Sequence, residues 1–110
     1  MKIEKRNNYT YIKADETTFA EFYTTFKKSE ASFKSEHLVL EISDKLNSKN
    51  EEISLFLSVS KLHQAQKKSF VIVCSSVDID NFPEEFNIVP TLPEAEDVLE
   101  MEAIERDLGF

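Results

Sequence analysis

Few side chains in this sequence can act as a base, a nucleophile or a metal ligand: His37, His63, Cys74 and scattered carboxylates. Nothing near His63 stands at a metal-ligand spacing, and His37 precedes a different apolar run 26 residues upstream. Near the end of a predicted helix, where the dipole favours a cation, His63 reads as a half-buried structural histidine. Cys74 closes the apolar run Phe70-Val-Ile-Val-Cys74, which predicts a buried, inert thiol. As the single cysteine it has no internal partner and suits a reducing compartment. Glu51 and Glu52 are adjacent on a helix, so they point to different faces and do not form an acid–base pair. No nucleophile–base pair emerges, and one glycine in 110 residues excludes a Gly-rich phosphate loop. The expectation is a non-enzyme with no catalytic residue, no metal and no cofactor.

The elements that hold these residues follow from periodicity. Ile3–Lys5 and Tyr9–Lys13 flank Arg6-Asn7-Asn8, a turn-prone step, and predict a β-hairpin. Phe19, Phe22, Tyr23 and Phe26 repeat as one helical stripe, capped by Thr17 or Thr18, with Glu21 completing a box from Thr18. The link 27–36 reads as polar and exposed. His37-Leu-Val-Leu-Glu-Ile42 and Phe70–Cys74 lack strict alternation, as strands covered on both faces do. Between them, Asp44–Ser48 reads as a loop, and Ser48 with Glu51 as a capping box opening a helix to about Lys68. On that helix Ile53, Leu55, Phe56, Leu57, Val59 and Leu62 span more than half the circumference, which predicts burial on two sides. A strand, a long helix and a second strand imply a right-handed crossover and a parallel pair. Asp78–Pro83 reads as a turn and Phe86–Val89 as a short third strand. Thr91-Leu-Pro-Glu94 then opens a last helix that buries Ala95, Val98, Leu99 and Ile104.

Length allows one domain with a core of its own, and 41% hydrophobic with 31% charged residues suits a globular protein. No apolar run reaches a bilayer-spanning length and Met1–Arg6 is not a secretion signal, so a cytoplasmic location is expected. Charge is segregated. Residues 1–77 carry 12 basic and 10 acidic side chains, a net of +2; residues 78–110 carry 1 and 11, a net of −10. Together they make the chain's −8. An acidic balance opposes nucleic acid and anionic membranes as partners, and permits a basic protein.

The order Leu38-Val-Leu-Glu-Ile-Ser43, loop, capped helix, Phe70-Val-Ile-Val73, connector, Ile88-Val-Pro-Thr-Leu-Pro-Glu-Ala95 resembles a STAS domain, the anti-sigma-factor-antagonist fold. The resemblance covers most of the chain and is specific chiefly at the Pro90–Ala95 junction. It implies an α/β chain on the α+β boundary, a mixed β-sheet with helices packed mainly on one face. It also implies a protein-interaction role with an anti-sigma kinase-like or other regulatory protein as partner. The implied division is a single domain over 1–99 and an acidic helical extension over 100–110.

In that family a serine opening the helix after the central strand is phosphorylated, within an Asp-Ser-x-Gly-like motif. Here Lys49-Asn50-Glu51-Glu52 fills the corresponding stretch, with neither the Asp nor the Gly, and Glu51 stands at the acceptor position. Ser48 is the nearest hydroxyl. In one reading Ser48 is an N-cap and Glu51 its box partner; in the other Glu51 is a fixed negative charge in place of a removable one. The partner-binding candidates are Ser48, Asn50, Glu51 and Glu52. Ile104, Leu108 and Phe110 are candidates for docking of the tail, onto a partner or onto the domain itself. Two alternatives stand beside the regulatory reading: a structural homodimer built on a sheet face or edge, and a chain labelled ribonuclease Z without the His-x-His-x-Asp-His cluster that activity needs.

Overall fold

A computed structural model describes residues 1–109. Within them, five strands form one mixed sheet in the order β1 to β5: β1 (Lys2–Lys5), β2 (Thr10–Ala14), β3 (Leu38–Ile42), β4 (Phe70–Val73) and β5 (Ile88–Val89). β1 runs antiparallel to β2, and every later pair is parallel. Four helices accompany them: α1 (Phe19–Ser29), α2 (Asn50–Ile53), α3 (Leu57–Ala65) and α4 (Leu92–Asp107). The hairpin, the parallel β3–β4 pair and the α/β class are as the sequence predicts.

Alternation along the buried strands builds two cores. Leu38, Leu40, Ile42, Phe70, Ile72 and Cys74 join α1, α2 and α3 in the larger one. Val39, Val71 and Val73 point the other way, onto Ala95 and Leu99 of α4. The chain steps one strand at a time from β2 to β4. Right-handed crossovers taken in one direction set their helices on one face. That places α1 and α2–α3 together, and α4, which follows the last strand, folds back over the other face. The helices are therefore mainly, and not wholly, on one side.

Phe56 organises the larger core. It is fully buried, and its ring meets those of Phe19, Phe22, Tyr23, Phe26 and Phe70 at centroid distances of 5.3–6.4 Å. It sits in a 3-10 turn over Ser54–Phe56 that interrupts the predicted 49–68 helix and separates α2 from α3. Burial on this segment is correspondingly one-sided. Ile53, Phe56 and Val59 are inside, while Leu55 and Leu62 are 47% and 58% exposed. The wide apolar arc is thus not covered on two sides. The link 27–36 is also less exposed than expected, because Phe33 turns in and stacks on Phe26. A single aromatic in a polar stretch was the available signal.

Two of the three expected capping boxes form only their threonine half, because Glu21 and Glu94 accept from the Thr17 and Thr91 hydroxyls instead of the cap backbone N–H. Thr18 accepts from the Glu21 amide at 3.2 Å, and Thr91 from the Glu94 amide at 3.4 Å. The third is displaced by one residue, and its consequence belongs to the site.

Candidate functional site

The parallel strands β3 and β4 both run out into loops at the same sheet edge, the usual place for a site in such a sheet. After Ile42 the chain makes a 3-10 turn over Asp44–Leu46, with Ser43 Oγ accepting from the Lys45 amide at 3.2 Å. Asn47 closes the turn in the left-handed region at φ 47°, a conformation its short polar side chain tolerates. Leu46 is buried and anchors the loop. From the neighbouring loop, Ser75 Oγ donates to both carboxylate oxygens of Asp44 at 2.8 and 3.0 Å. This clasp is not legible in the sequence: its members stand 31 residues apart, and only the strand pairing brings them together.

Ser48 is not the N-cap of α2. That position is Lys49, whose backbone N–H donates to Glu52 Oε1 at 2.9 Å. The capping box read from Ser48 to Glu51 is therefore corrected by one residue, and Glu52 supplies the reciprocal half. The helix begins one residue later, which leaves Ser48 inside rather than at the helix mouth. Ser48 is 6% exposed, and its Oγ has no hydrogen-bond partner among the described residues. Asn50 and Glu52 are half-buried, whereas Lys45, Asn47, Lys49 and Glu51 are exposed. The site candidates thus sit on one loop–helix junction but divide into a shielded hydroxyl and an outward charged set.

The tail candidates lie elsewhere. α4 starts just beyond β5 and runs back along the sheet, so that Arg106 donates to Ser69 Oγ, ahead of β4, at 3.2 Å. Ile104 and Leu108 are 53% and 67% exposed. Ile104 does not join the buried face with Ala95 and Leu99, as expected from the sequence, because it points away from the sheet. Phe110 lies outside the described residues. α4 is continuous through residues 99 and 100, and Glu102 beyond that point accepts from Asn87 Nδ2 at 2.9 Å.

The two histidines sit toward the starts of the strands, away from loop 44–52. His63 is fully buried, not half-buried, with Nδ1 3.0 Å from the Val59 carbonyl oxygen and Nε2 3.2 Å from that of Phe33. Each ring nitrogen thus faces a backbone carbonyl, and the ring bridges α3 and the segment carrying Phe33. His37 Nδ1 accepts the Ser69 amide proton at 2.9 Å. Its pKa is held below the ordinary value, first by burial and then by the positive charges of Arg106 and Lys68.

His37 also borders a cleft of about 620 Å3 formed with Asn8, Tyr9, Glu96, Glu100 and Arg106. Tyr9 Oη donates to Glu96 at 2.8 Å across it. Burial raises the Tyr9 phenol; it pushes Tyr11 up to about 12, reinforced by the Glu41 carboxylate. Among the described residues no three His, Cys, Asp or Glu side chains converge as a metal cluster, and no helix is long and apolar enough to cross a membrane. No protein-family model matches the chain, and no curated protein matches it significantly.

Proposed function

We propose that this chain is a cytoplasmic STAS-like protein-interaction module. It engages a regulatory protein partner through loop 44–52 and is not switched by phosphorylation there. The observation that carries the reading is the state of Ser48 and Glu51. The only hydroxyl between Asp44 and Ile53 is buried without a partner among the described residues, so a kinase would have to open the loop to reach it. Glu51, one position into α2, is exposed and supplies a carboxylate where a removable phosphate would stand. A carboxylate in the first turn of a helix is favourably placed, with or without a partner.

The architecture supports the same reading, since a mixed sheet with helices mainly on one face is the arrangement the sequence resemblance implies. Catalysis forms no part of the proposal. The edge-to-edge homodimer is less favoured, because β1 presents Lys2 and Lys5 along one edge and β5 offers only two residues at the other.

The test is incubation with an anti-sigma-type kinase and ATP, read by intact mass and by binding. The expected result is a complex without phosphate on this chain, weakened about tenfold by Glu51→Lys at a stability loss of no more than about 1 kcal/mol. Stoichiometric phosphate on Ser48 overturns the proposal, as does binding indifferent to Glu51→Lys.

A further inference from the structure

α4 carries two apolar faces. At about 100° per residue, Ala95 and Leu99 point into the sheet, while Met101, Ile104 and Leu108 centre about 180° away from them. Those three are 59%, 53% and 67% exposed. Scattered single exposed apolar residues are ordinary; three at i, i+3 and i+7 on the side opposite the core form a second stripe. A helix apolar on two opposed faces is built to be covered on both.

The stripe's surroundings select its occupant. Asp97, Glu100 and Glu105 border it, all exposed. The segment 78–110 holds 11 acidic residues and one basic, Arg106, which is turned inward to Ser69. A second copy would bring the same acidic border against this one, and an anionic bilayer would be repelled by it. We infer that the outer face of α4 is a docking surface for a basic amphipathic helix of another protein. The partner's apolar residues would pack on Met101, Ile104 and Leu108, and its lysines or arginines would pair with the acidic border. This surface is separate from loop 44–52 and does not rest on the function proposed above.

The probe is a synthetic peptide of 16 residues, the length of α4. It has leucines at i, i+3 and i+7 and lysines on both flanks, and is titrated into the intact chain by calorimetry and amide NMR. Expected is saturable one-to-one binding that shifts the amides of α4 and weakens as salt rises. Met101→Ser/Ile104→Ser/Leu108→Ser should lose about tenfold or more in affinity at an unchanged melting temperature. A peptide of the same composition with its leucines scattered should bind as weakly as that variant. Equal binding by the triple variant overturns the inference by reducing the contact to bulk charge. A lowered melting temperature in the variant overturns it by placing the stripe within the fold. Self-association of the wild-type chain that the variant abolishes overturns it in favour of a second copy.

Discussion

Ser48→Ala decides between two accounts of the helix start, because they differ in sign. An N-cap serine loses about 1 kcal/mol on truncation to alanine. The observed Ser48 caps nothing, and its buried Oγ is without a partner among the described residues. An unsatisfied buried polar group costs about 1–3 kcal/mol, and its removal takes that penalty away. Set against this is the dispersion attraction of a single oxygen, only about 0.1–0.2 kcal/mol for each neighbouring atom. The net expectation is a gain of about 1 kcal/mol. For 110 residues at about 2.1 cal/mol/K each, the unfolding entropy is roughly 0.23 kcal/mol/K, so the gain raises Tm by about 4 °C. Urea titrations followed by circular dichroism, with m held common to both proteins, measure it directly. A loss of about 1 kcal/mol would refute the reasoning and restore the capping hydroxyl. Glu52→Gln in parallel should be mildly destabilising, since its carboxylate serves the Lys49 amide at 2.9 Å.

Two further predictions concern the core and the response to pH. Phe56→Ala should cost about 3–5 kcal/mol, as full truncation of a buried aromatic does, whereas Leu62→Ala, 58% exposed, should stay within about 0.5 kcal/mol; equal losses in urea would show both to be covered. His37 has its folded pKa below the ordinary 6.5, so between the two values the unfolded chain binds more protons. Its stability contribution is complete above about pH 6.5 and is lost as pH falls through the folded value. His37→Gln should flatten the stability profile just below about pH 6.5, and an unchanged slope would assign the effect to other groups. Glu36, held low by Lys5 and Thr10, acts below its ordinary 4.5 and does not confuse that window.

Much of the architecture was legible in the sequence because local chemistry dictates it. Asn7-Asn8 between β-prone runs makes the hairpin, Phe19, Phe22 and Phe26 make one helical stripe, and Thr18 and Thr91 mark two helix starts. The buried runs at Leu38 and Phe70 declared two-sided strands before either face had a helix on it. Segregation of charge marked α4 as the acidic element. These readings depend on neighbours within a few residues, where spacing alone fixes which side chains share a face.

What required tertiary structure is what depends on distant residues. Packing of Phe56 among five rings from α1 and β4 is accompanied by a 3-10 turn that ends α2 after Ile53 and leaves Leu55 and Leu62 outside. The parallel pairing of β3 with β4 brings Ser75 to Asp44, and the one-residue shift of the helix start buries the Ser48 hydroxyl. Periodicity put Ile104 on the buried face of α4 with Ala95, Val98 and Leu99, and the sheet takes a narrower face than that. Val39, Val71 and Val73 set that face by receiving Ala95 and Leu99, which leaves Met101, Ile104 and Leu108 turned to solvent.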